Sequence, residues 1–213
     1  MKTELNYKYS KKEEKLNIIT HAFGLILSIT AFPFLLMKSF DYEGFSKSLS
    51  LLVYGFSLII LYAASTFYHA ANEPNLRRKL NILDHAAIYV LIAGSYTPFT
   101  IIVLKGTLGW FILGFTWSFA IAGIVMKLFF TGRFEKLSTI LYVLMGWQII
   151  FAMKPLSNNL SNEGVELLFY GGLFYTIGAL FYSLKKIQYN HAIFHVFVVL
   201  GSFCHFLTVY FYI

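Results

Sequence analysis

Six histidines and one aspartate at the head of an apolar run carry the chemistry this sequence can offer. His191 and His195 are four residues apart, so on a helix they share one face about one turn apart, the spacing at which two imidazoles grip one metal ion. Ser65 and His69 repeat that interval. Asp84 stands at the start of an apolar stretch, where a lone charge is costly without a partner. A third imidazole would complete a three-histidine zinc site with an open position for water, and His69 falls at the right depth to supply it. In such a site Asp84 would orient the water or take its proton. The Ser65 hydroxyl would hydrogen-bond a substrate carbonyl or a developing oxyanion. Three imidazoles and an open position suit zinc better than magnesium or calcium.

Glu14, Asn17 and His21 form a further polar stripe, E-x-x-N-x-x-x-H, on one helical face. It would close the mouth of the site or support the ligands from behind. Each residue also has a plainer reading. Histidines at helix ends often sit at the interface with one wet nitrogen. Asp84 can pair with Arg77, Arg78 or Lys79, Ser65 can bond back to a carbonyl one turn earlier, and Glu14 suits any helix N-terminus. Taken singly, Ser65, His21, His85 and His205 fit the plainer reading; taken together at one depth, His69, His191, His195 and Asp84 favour the metal.

The elements that position these residues are membrane spans. Of 213 residues 58% are hydrophobic and 13% charged, with a mean hydropathy of +0.66, whereas a soluble domain is about a quarter charged. The 23 Phe, 15 Tyr and 3 Trp exceed what one soluble core hides. Seven runs approach the roughly 20 apolar residues a span needs: 18–37, 49–68, 82–103, 107–126, 137–153, 165–184 and 191–213. The fifth is short, and Pro155 with Ser157, Asn158 and Asn159 marks its end. Connectors carry turn residues at 41–44, 72–74 and 131–132. The fold expected is an all-α, seven-transmembrane helix bundle (residues 18–213) behind a short basic tail (residues 1–17). Pro98 is expected to kink the third span, and Gly24 and Gly94 to permit close helix approach. Trp110, Trp147, Tyr210 and Tyr212 read as interfacial anchors.

Orientation follows from the positive residues. The tail holds Lys2, Lys8, Lys11, Lys12 and Lys15, and the second, fourth and sixth connectors hold Arg77, Arg78, Lys79, Lys127, Arg133, Lys136, Lys185 and Lys186. The opposite side has only Lys38, Lys47, Lys105 and Lys154. This asymmetry puts the N-terminus in the cytoplasm and the C-terminus outside. It also accounts for the net charge of +7 without nucleic acid. Five histidines then lie at cytoplasmic helix ends, and His205 lies about 15 Å beyond His195 at 1.5 Å per residue. The single cysteine, Cys204, excludes a disulfide framework and a cysteine metal cluster. No cleavable signal peptide is expected, since some 17 largely polar residues precede the first apolar run.

Four motifs in register, E-x-x-N-x-x-x-H (Glu14, Asn17, His21), S-T-F-Y-H (65–69), L-D-H-A-A-I-Y-V-L-I-A-G-S-Y-T-P (83–98) and H-A-I-F-H (191–195), resemble the hemolysin III family. These are the bacterial members of the progestin and adiponectin receptor superfamily. The resemblance implies a multi-pass protein of the bacterial cell membrane, with zinc held by His69, His191 and His195. It implies that Asp84 lies beside the metal's water, and that Ser65 is shared with a wider group of membrane hydrolases that includes alkaline ceramidases. The chain lacks the long N-terminal extension of the animal hormone receptors, so a hormone-receptor role is not expected.

The function expected is zinc-dependent intramembrane hydrolysis of a lipid amide or ester, with membrane lipids as partners. One rival is a non-enzymatic regulator of membrane state in which zinc is structural and Asp84 closes the fourth position. The other is the pore-forming cytolysin of the family name, which an integral bundle without a charge-lined pore supports least.

Overall fold

A computed structural model describes residues 9–131 and 133–213; Lys2 and Lys8 of the basic tail and Gly132 of the 131–132 turn lie outside them. Among the described residues, seven helical spans are long and apolar enough to cross a membrane, and there is no strand. The helices are α1 (Lys11–Ser39), α2 (Phe45–Ala70), α3 (Pro74–Pro98), α4 (Gly106–Phe130), α5 (Glu135–Trp147), α6 (Met153–Asn159), α7 (Asn162–Ser183) and α8 (Asn190–Tyr212). Their outward faces carry large bare apolar side chains, with Phe151 89% and Phe45 81% exposed. Water would not tolerate that surface, and lipid tails do.

The sequence sets the helix ends locally. Ser10 Oγ accepts from Glu13 N at 3.2 Å at the start of α1, the first half of a capping box. Pro74 opens α3 where its missing N–H costs nothing. Glu73 caps that helix, its carboxylate accepting from the Asn75 and Leu76 N–H groups at 3.0 and 2.6 Å. Those two bonds hold its carboxyl below the usual glutamate value. Asn190 Nδ2 donates to the Phe181 and Tyr182 carbonyls at 3.2 and 3.0 Å, tying the start of α8 to the end of α7.

The third span is the axis of the bundle: 78% of its apolar window is buried, against 17–50% for the other six. It departs from α-geometry where Pro98 stands, continuing as a π-helix over Phe99–Leu104. Proline removes an N–H and crowds the preceding turn. Small residues let neighbours close on one another as expected: a Cβ on Gly24 would meet the Tyr62 ring at 2.5 Å, and one on Gly94 would meet Ser57.

Two sequence expectations need correction. The fifth span ends at Asn159, within the 155–159 group expected, but Pro155 itself does not stop it. That span breaks earlier, as α5 gives way to a 3₁₀ segment over Gln148–Ala152, and Pro155 sits in the first turn of α6, which runs on to Asn159. The Tyr96 hydroxyl fixes the break, accepting from Ile149 N at 2.8 Å and donating to the Gly146 carbonyl at 2.7 Å. Trp147 is not an interfacial anchor. Its Nε1 donates to Thr176 Oγ1 on α7 at 2.8 Å, and the ring lines an internal cavity.

Candidate metal centre

Two helices bring His69, His191 and His195 together at one end of the bundle. His69 ends α2, and the other two open α8 one turn apart. All three are buried, and one ring nitrogen from each lies within 4.8 Å of the other two. His191 Nε2 is 3.1 Å from His69 Nε2 and 3.0 Å from His195 Nε2.

Protons cannot satisfy this arrangement. His69 Nδ1 lies 2.6 Å from the Glu14 carboxylate, which only accepts, so Nδ1 carries the hydrogen and Nε2 turns its lone pair inward. The same reasoning applies to His195, whose Nδ1 faces the Asn17 carbonyl at 3.3 Å. Two lone pairs therefore point at His191 Nε2, which brings at most one hydrogen. A cation satisfies all three. Nitrogens about 2.0–2.1 Å from a tetrahedral zinc stand roughly 3.3 Å apart, close to the separations seen. The donor set therefore fits a metal ion bound by three imidazoles.

Outer residues hold the ligands. Glu14 bridges His69 and the Arg77 guanidinium, and Arg77 also donates to the carbonyls of Tyr68, His69 and Ala71 at 3.2, 3.4 and 3.1 Å. One buried ion pair thus joins α1, the end of α2 and the start of α3. Asn17 Nδ2 lies 3.4 Å from His69 Nδ1, and Thr20 Oγ1 lies 3.3 Å from His195 Nδ1. His21 stacks face to face on His195, ring centroids 3.4 Å apart and planes 10° from parallel. Tyr9 stacks on His191 with centroids 4.6 Å apart, and burial pushes its phenol above the usual range.

Asp84 stands apart from the three converging nitrogens. It lines the same cavity as His191 and His195, and its expected partner Arg77 is engaged with Glu14 instead. Ser65 is fully buried, and its Oγ has no hydrogen-bond partner. Ser28 and Ser57 bond back to their own helix at 2.7 Å; Ser65 does not. His85 makes the plain helical contact, Nδ1 to the Asn81 carbonyl at 2.8 Å. Arg77, Thr20 and Tyr9 were not singled out as site residues from sequence. Arg77 carried one usable signal, since it lies seven residues before Asp84 and so shares its helix face.

A cavity of about 160 Å³ lies between α3, α5, α7 and α8. One end is walled by His21, Asp84, His191 and His195, and the middle by apolar side chains such as Ile88, Leu91, Phe194 and Val198.

A seven-span bundle with three imidazoles converging beside an apolar cavity defines a class of membrane protein with a candidate metal centre. The chain belongs to the haemolysin-III related family, whose model matches residues 9–206. It is 47% identical to Hemolysin-3 of Bacillus cereus over 202 residues, covering 95% of this chain and 92% of that protein. It is also 47% identical to the Hemolysin-3 homolog of Bacillus subtilis over 204 residues, covering 96% of each. A more distant likeness, 26% over 213 residues, joins it to the human monocyte to macrophage differentiation factor, covering 97% of this chain and 87% of that protein. The family and the seven apolar spans together make this a multi-pass bacterial membrane protein of the progestin and adiponectin receptor superfamily.

Proposed function

We propose that this chain is a zinc-dependent intramembrane hydrolase of a lipid amide or ester, with its metal centre at the cytoplasmic end. The observation that carries the reading is the inward convergence of three buried Nε2 atoms at one end of an apolar cavity. His69, His191 and His195 would hold the ion. When bound, zinc supplies Lewis acidity, polarising a carbonyl and easing loss of a proton from water near neutral pH.

The chain's own residues do the rest. The apolar cavity wall receives the lipid tail and leaves the carbonyl at the histidine end. Asp84, lining that end, takes the proton of the attacking water and later returns it to the departing amine or alcohol as the carbonyl carbon's bond to it breaks. The unpartnered Ser65 hydroxyl donates to the substrate oxygen as negative charge gathers there. Glu14 and the Asn17 carbonyl keep the inward nitrogens of His69 and His195 unprotonated. Asp84 standing outside the nitrogen cluster supports an open fourth position rather than one closed by its carboxylate.

The test is Asp84→Asn, assayed on a panel of lipid amides and esters with metal content measured in parallel. The expected result is retained metal with turnover lowered by at least about 100-fold. Full activity in that variant overturns Asp84 as the base.

A further inference from the structure

His205 lies on α8 ten residues beyond His195, about 15 Å further along the helix axis. Both histidines line the same cavity, with apolar Phe194 and Val198 on the wall between its ends. Both ring nitrogens of His205 are buried; the Leu168 backbone offers the ring one hydrogen bond, and no second partner reaches it, so one nitrogen is left unpaired. An imidazole so placed is unfavourable in a hydrocarbon setting, yet the bundle makes room for it. A Cβ on Gly171 of α7 would run into the imidazole, so only glycine there lets the ring seat against that helix. Beside it runs a chain of hydroxyls. Tyr62 donates to Ser202 Oγ at 2.7 Å, Ser202 shares a 2.8 Å bond with the Tyr175 hydroxyl, and the Tyr175 ring meets His205 edge-on at 5.3 Å. The far end of this largely apolar cavity therefore carries Tyr175, tied through its hydroxyl to Ser202 behind the wall, and an imidazole with one nitrogen unpaired.

We propose that His205 is a second polar anchor of this cavity, hydrogen-bonding the distal hydroxyl of an amphiphile whose carbonyl end sits at the histidine cluster. The inference rests on reading the cavity as a lipid site. The ligand class it names is a hydroxylated acyl chain with polar groups about 15 Å apart. A plain hydrocarbon tail would fill the middle of the cavity and leave that ring nitrogen of His205 without a partner.

The test uses the full chain in detergent, with a fluorescent fatty acid as probe. Displacement is measured with ω-hydroxy fatty acids of graded length and with unsubstituted acids of the same lengths. At the matching length the hydroxy acid should displace the probe about tenfold more effectively than its unsubstituted twin. In His205→Phe that preference should vanish, while affinity for the unsubstituted acid and metal content stay unchanged. His205→Gln, which keeps a donor and an acceptor, should restore part of it. Equal displacement by both acids at every length, or a preference that survives in His205→Phe, overturns the second anchor and leaves the lipid site standing. Failure of the probe and of both acids to bind overturns the lipid site and the anchor with it.

Discussion

Glu14 is where the arrangement of the histidine cluster is most open to attack. One carboxylate oxygen accepts from His69 Nδ1 at 2.6 Å, and the other accepts from Arg77. A glutamine in its place keeps the size but has one acceptor oxygen for two donors, so one contact becomes N–H against N–H. Loss of the outer partner of a ligating histidine typically lowers metal affinity 10–100-fold, which is about 1.4–2.7 kcal/mol. Glu14→Gln should sit near the lower figure, because its oxygen can still serve His69. Glu14→Ala should approach the higher, because it also strips a buried guanidinium of its carboxylate. Arg77 keeps the carbonyls of Tyr68, His69 and Ala71, so the fold should survive either change. Zinc titration against a chromophoric chelator measures the effect. Wild-type affinity in Glu14→Ala would refute the role given to Glu14.

Two further outcomes follow from packing and capping. Gly24→Ala drives a methyl into the Tyr62 ring, which Ser202 holds by its hydroxyl, and should cost about 1–3 kcal/mol; an unchanged unfolding midpoint in detergent would show that α1 and α2 part more easily than the structure implies. Glu73 has its carboxyl held below the ordinary value of 4.5, so its contribution is present above that pH and disappears as pH falls through the lowered value. Glu73→Gln should therefore be slightly less stable than wild type at neutral pH and indistinguishable from it in acid, and a gap that widens on acidification would reverse the sign.

The spans were legible because lipid demands unbroken apolar runs, and the histidine pair because a spacing of four is local to one helix. The tighter details were not, because they join residues far apart in sequence. Glu14 reaches His69 across 55 positions and Arg77 across 63. His21 fitted a plain interfacial residue when taken singly, yet it stacks on His195 of another span. Trp147 carries the signature of an anchor, and only a hydroxyl on α7 turns it inward. The end of the fifth span at Asn159 was legible from its polar residues, but its internal break is set by Tyr96 of the third span and leaves no local mark. The cavity belongs to no single segment and has no sequence signature at all.

Metal content tests the histidine centre most directly. Full-length protein purified in detergent without chelator, wild type beside His191→Ala with His195→Ala, would be analysed by elemental mass spectrometry. About one zinc per chain in the wild type, lost in the double variant, is the expected result. Wild-type protein without metal would contradict it, and with it the assignment of the three inward lone pairs to an ion.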